Sequence, residues 1–69
     1  MDIIRVFATN VRVYREQKGI SQEKLAELSG LHRTYISDLE RCKRSISLSN
    51  VQKLADALEV EPYVLFIEK

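Results

Sequence analysis

Residues 21–42 read SQEKLAELSGLHRTYISDLERC, and the way this stretch divides decides the fold. Leu25, Ala26 and Leu28 recur at helical spacing, and so do Tyr35, Ile36 and Leu39. Between the two sets stands Gly30, one of only two glycines in the chain. Punctuation this sparse is informative. The pattern predicts a helix over Ser21–Ser29, a turn at Gly30–Leu31 and a second helix over His32–Cys42. The Ser21 hydroxyl can accept from free amides at the first helix start, and Lys24 stands where an acid would complete a capping box. Gly30 supplies a positive φ, and Ala26 has to be small where the two helices cross.

Outward from this stretch the same spacing continues. Upstream, Ile4, Phe7 (with Ala8), Val11 and Tyr14 mark a helix over about Asp2–Lys18, stopped by Gly19. Downstream, Ser47 or Ser49 can cap a fourth helix whose inward residues are Val51, Leu54, Ala55 and Leu58. Pro62 suits the first turn of a fifth, EPYVLFIEK. The expected architecture is all-α: one domain over residues 1–69, a compact five-helix bundle ending in a helix over 61–69.

Sixty-nine residues, 45% hydrophobic and 30% charged, suit one ordinary globular domain and exclude a disordered chain. A core this small is expected to leave only about 3–5 kcal/mol of stability, so self-association would help. No apolar run approaches the roughly 20 residues that cross a bilayer. The opening MDIIRVFATNVR lacks the basic region, apolar run and cleavage site of a signal peptide. One lone cysteine, Cys42, cannot staple the fold from within. The expected compartment is the cytoplasm. His32 with Cys42 makes no metal set, since structural zinc takes four ligands. No nucleophile–base pair, glycine-rich phosphate loop or carboxylate cluster suggests an enzyme, and nothing calls for a cofactor or small-molecule ligand. The net charge is only +1, but residues 1–20 and 31–44 each carry four bases against two acids. Positive groups sharing one face would suit nucleic acid.

Helix, glycine turn, helix is the helix-turn-helix arrangement, with the second helix as the reader of a DNA groove. Inward anchors Ile36 and Leu39 leave Arg33, Thr34, Ser37 and Asp38 outward. Arginine reaches guanine, threonine a thymine methyl or base acceptor, and serine either kind of group.

Residues 19–60, GISQEKLAELSGLHRTYISDLERCKRSISLSNVQKLADALEV, resemble the helix-turn-helix domain of the phage-repressor (Cro/Xre-like) superfamily. SQEKLA, RTYISDLER and LSNVQKLADALEV carry that resemblance in order and spacing, over about residues 4–65. Arg33–Ser37 with Glu40, Arg41 and Arg44 is also similar to controller proteins of restriction–modification systems. Those are stand-alone homodimers that regulate transcription of their own operon. Antitoxin-type and phage-type repressors share much of the pattern, and some domains of this fold serve instead as protein–protein adaptors.

The resemblance implies roles residue by residue. Arg33, Thr34 and Ser37 match base-facing positions, with Tyr35 at the groove edge. Gln22 resembles the family's phosphate-contacting glutamine, Arg41 and Arg44 match positions that meet the DNA backbone or an adjacent base, and Ser45, Ser47 and Asn50 fall where phosphates are commonly held. Arg15 and Glu40 match the superfamily's structural arginine–glutamate pair. Cys42 departs from the usual Gly or Asn, and costs about 1 kcal/mol if φ is positive there. Ser45–Ile46 replaces a frequent Asn-Pro, so that asparagine's contacts do not carry over.

Tyr63–Ile67 is a run of five large apolar residues. One short helix has one inward stripe, and Leu65 matches the family's inward position. Tyr63, Val64, Phe66 and Ile67 are then the expected homodimer interface, with help from Ile3 or Val6. The competing possibility is that this segment folds back on the first helix of its own chain. The implied partners are an operator duplex and a second copy, with no membrane involved.

Overall fold

The computed structural model describes residues 1–68, and four α-helices carry the chain: α1 (Ile3–Lys18), α2 (Gln22–Ser29), α3 (Arg33–Glu40) and α4 (Leu48–Leu58). Side chains start three of them. Asp2 accepts from the Arg5 amide at 3.2 Å, Ser21 from Lys24 at 2.9 Å and Ser47 from Asn50 at 3.2 Å, each filling a vacancy that a helix N-terminus leaves. Gly19 and Gly30 end α1 and α2 at φ 75° and 76°, a region open to glycine without strain. The α2–α3 turn has a further support. Buried Ser29 donates to the Ala26 carbonyl and accepts from the Leu31 amide, both at 3.3 Å.

Helix α1 packs on α3 and α4, while α2 packs on α3 and α4. Phe7, Val11, Leu25, Ile36, Leu39, Leu54 and Leu65 are fully buried where these elements meet. Burying each such side chain contributes about 1.5–3 kcal/mol before entropy opposes it. Ala26 is buried as expected, but Leu28 is 46% exposed and belongs to no core.

The expected fifth α-helix is instead a 3-10 turn, Pro62–Phe66, followed by Ile67 in extended conformation. The last residue of that expected helix, Lys69, lies outside the described residues. The reason for the change is nonlocal. Asn10 of α1, only 2% exposed, donates both amide hydrogens at 2.9 Å, one to the Leu65 carbonyl and one to the Ile67 carbonyl. Those bonds fasten the segment to α1, and five residues cannot sustain an α-helix alone. Helix α3 is also shorter than His32–Cys42: His32 is its N-cap and Arg41 its C-cap.

Cys42 lies at φ 61°, in the left-handed region, so this non-glycine residue carries strain of about 1–2 kcal/mol. What offsets it is the closure of α3. The Cys42 amide donates to the Leu39 carbonyl at 2.9 Å and the Lys43 amide to the Asp38 carbonyl at 2.8 Å. Glu59 ends α4 in the same way at φ 62°, and its carboxylate pairs with Lys18 of α1. That ammonium holds the Glu59 carboxyl below the ordinary range. A depressed carboxyl adds stability only above its unfolded pKa, so this tie fades as pH falls through the acid range.

Asn10 decides the position of the terminal segment. Asn10→Ala should cost about 2–4 kcal/mol, since two hydrogen bonds go and a buried carbonyl is left unmet. Urea melts measure it, and a loss under about 1 kcal/mol would mean that the segment is held by its apolar contacts alone.

Candidate nucleic-acid interface

The exposed end of the α2–α3 unit carries the residues of interest. Arg33 and Thr34 open α3 and are exposed, Ser37 lies half-buried one turn later, and Tyr35 is half-buried against the core. A groove lined by Arg15, Ser21, Gln22, Glu23 and Arg33 brings the start of α2 to the start of α3. A second groove, lined by Gly30, Leu31, His32, Thr34, Tyr35 and Arg44, brings the turn to the loop after α3. Arg33 makes no ion pair or hydrogen bond among the described residues, so its guanidinium is uncommitted.

Arg41 and Arg44 are differently placed. Arg41 Nη2 donates to Asp38 Oδ1 at 2.7 Å, and Arg44 Nε lies 3.7 Å from Asp38 Oδ2. The Arg44 guanidinium also sits 5.0 Å from the centre of the Tyr35 ring, within cation–π range. The Tyr35 hydroxyl donates to the Ser45 carbonyl at 3.5 Å, fastening the loop to α3. Ser45 is exposed, and the Ser47 hydroxyl accepts from the Asn50 amide and lies 3.5 Å from that of Ser49. Asn50 is half-buried at the first turn of α4.

Beneath this surface lies a buried polar centre. Arg15 Nε and Nη2 donate to the two Glu40 oxygens at 2.7 and 3.1 Å, and Arg15 Nη1 to the Ile20 carbonyl at 2.8 Å. The Arg15 side chain is 12% exposed and that of Glu40 4%. The bond to Glu40 holds the guanidinium protonated beyond its ordinary range, against the opposing pull of burial. Gln22 donates one amide hydrogen to Glu40 at 3.1 Å. Its second hydrogen remains for an anion at the α2 N-terminus, where the helix dipole favours one.

Sequence reasoning leaves two residues without these parts. Asp38 reads simply as an outward acid, and Asn10 has no assignment. The i, i+3 spacing of Asp38 and Arg41 was the available sign for the first. Nothing local marks Asn10. The expected interface residues divide: Tyr63 and Ile67 are 67% and 49% exposed. Val64 and Phe66 pack against their own core, the Phe66 ring 5.1 Å from that of Phe7.

A pair of short helices crossing at a glycine turn, with uncommitted polar and cationic groups at their exposed end, defines a helix-turn-helix protein. The family model described as helix-turn-helix matches residues 11–65. The control protein C.SmaI of Serratia marcescens is 55% identical over 58 residues, 84% of this chain and 69% of that protein. The crystal structure of the restriction–modification controller protein C.AhdI from Aeromonas hydrophila superposes with a TM-score of 0.88 at 49% identity, covering 91% of this chain and 96% of that one. The controller protein C.Esp1396I, solved as a tetramer with its natural 35 base-pair operator, gives 0.88 at 33% identity, over 96% and 87% of the two chains. The chain belongs to the helix-turn-helix family and, within it, to the restriction–modification controller proteins.

Glu40→Gln should destabilise the fold by about 3 kcal/mol, at the lower end for breaking a buried pair, because the glutamine oxygen can still accept from Arg15. Denaturant melts against wild type read the loss. A value below about 1 kcal/mol, typical of exposed pairs, would show that the centre is effectively solvated.

Proposed function

We propose that this chain is a sequence-specific DNA-binding regulator that acts as a homodimer on the operator of a restriction–modification operon. The observation that supports it best is the pair of grooves at the exposed end of α2–α3, where Gln22 lies beside Arg33 and Thr34 beside Tyr35 and Arg44. Arg33, Thr34 and Ser37 are the base-reading groups, with Tyr35 at the groove edge. Gln22, Arg41, Arg44, Ser45, Ser47 and Asn50 meet phosphates. A regulator of this kind works in the cytoplasm, beside the DNA it reads.

A second copy follows from size and from surface. The domain measures 30 × 21 × 20 Å, while successive major-groove faces of a duplex recur about every 34–36 Å, so one chain reads one face. Tyr63 and Ile67 stay largely exposed after the terminal segment has docked, and Ile67 borders a groove lined by Arg5, Val6, Thr9 and Asn10. Apolar groups left on a small domain favour a two-fold partner. Dimerisation through residues 61–69 therefore rests on Tyr63 and Ile67, with Val64 and Phe66 supporting them from beneath.

Selection of bound duplexes from a random pool should yield a site with two-fold symmetric halves. On that site Arg33→Ala should cost about 1–3 kcal/mol and relax preference at one base pair. Arg44→Ala should weaken all sequences alike and lower the salt slope by about 1. An Arg33→Ala base profile identical in shape to wild type would remove Arg33 from recognition, and failure to enrich any site would turn the reading toward a protein adaptor.

Sedimentation at micromolar concentration should show a dimer. Tyr63→Glu with Ile67→Glu should give a folded monomer that binds the operator more weakly. A double variant that still dimerises, or a wild-type chain that stays monomeric, would move the interface elsewhere.

A further inference from the structure

Four cations stand along α3 and just past its end, and they are not equally free. Arg33 has no ionic partner among the described residues and neither does Lys43, whereas Arg41 and Arg44 both converge on one carboxylate, that of Asp38. Asp38 is 25% exposed, while the side chains of Arg41 and Arg44 are 61% and 47% exposed. Its two oxygens are divided between them, Oδ1 to Arg41 at 2.7 Å and Oδ2 toward Arg44 at 3.7 Å. Tyr35 supports the arrangement from below, its ring under the Arg44 guanidinium and its hydroxyl on the Ser45 carbonyl.

A carboxylate and a phosphate offer arginine the same thing: a pair of anionic oxygens matched to the guanidinium fork. We propose that Asp38 stands in for a DNA phosphate in the free protein, occupying Arg41 and Arg44 and thereby limiting affinity for DNA. The proposal rests on the DNA-binding reading above and adds to it a residue that works against binding. Each arginine must leave Asp38 before it reaches a backbone phosphate. The pairs are exposed and therefore weak, so the arginines exchange readily and the limit is graded, not a block. Arg33, uncommitted, needs no such release before it reaches a base edge. The division suits a protein whose base-reading group is ready while its phosphate-binding groups are held back.

The test uses the full chain and a short duplex of arbitrary sequence at low salt, where phosphate contacts dominate. Asp38→Asn, which keeps the shape and removes the charge, should bind about three- to tenfold more tightly than wild type. Its salt dependence should steepen by about one released ion. In a background carrying Arg41→Gln and Arg44→Gln, the same Asp38→Asn change should alter affinity by less than about twofold, since no arginine is left to release. Thermal melts check that each variant folds, and Asp38→Ser repeats the measurement if Asp38→Asn does not. A full gain that persists without the two arginines would assign the effect to plain repulsion between Asp38 and DNA and overturn the proposal. Weaker binding by Asp38→Asn would make Asp38 an orienting group and overturn it too. Wild-type protein that binds no duplex at all would instead bring down the DNA-binding reading, and this proposal with it.

Discussion

Arg15 lies almost out of water, and each of its three guanidinium nitrogens has an acceptor: two on the Glu40 carboxylate and one on the Ile20 carbonyl. Burying such a group costs several kcal/mol unless its donors are met, and here they are met by groups from two places in the chain. Glu40 is the last residue of α3, and Ile20 belongs to the link between α1 and α2. Gln22 reaches the same carboxylate from the first turn of α2. Three helices are thus located against one another around a single cation. Helices α2 and α3 have only eight residues each, too few to persist in water without tertiary support. The apolar contacts of Leu25, Ile36 and Leu39 supply the bulk of that support, but they are non-directional. The polar centre adds direction, and with it the orientation at which Arg33 and Gln22 share a groove.

Much of this was legible in the residues. Gly19 and Gly30 at the ends of apolar stripes marked two stops, and both lie at positive φ. The serines that cap α2 and α4 stand where hydroxyls relieve free amides, and Val51, Leu54, Ala55 and Leu58 are buried as their spacing requires. What the sequence left open was fixed at a distance. Pro62 suits the start of a 3-10 turn as well as that of an α-helix, and the segment is tied down by Asn10, more than fifty residues earlier along the chain. Local periodicity cannot carry that information. The same holds for Leu28, whose place on the apolar pattern did not bring it into the core. At the candidate interface, residue type placed Arg33 and Thr34 on the outer face but was silent on which cations are already engaged. The ion pairs of Asp38 depend on side-chain conformations across the loop after α3, and Cys42 sets that loop by turning left-handed.

Asn10 has a consequence beyond the shape of one subunit. Because it holds the terminal segment from within the chain, the outer surface of that segment exists before any partner arrives. At the interface proposed there, association would require little ordering of disordered chain, so the entropy usually lost when a flexible tail folds on binding would already be met in folding the monomer. Encounter at that proposed interface would be close to rigid-body docking, limited by orientation and not by a folding step. The heat-capacity change of association would reflect the apolar area covered and little else. With the interface placed as proposed, a protein of this size could keep assembly responsive to its own concentration, with no slow rearrangement between making a subunit and using it.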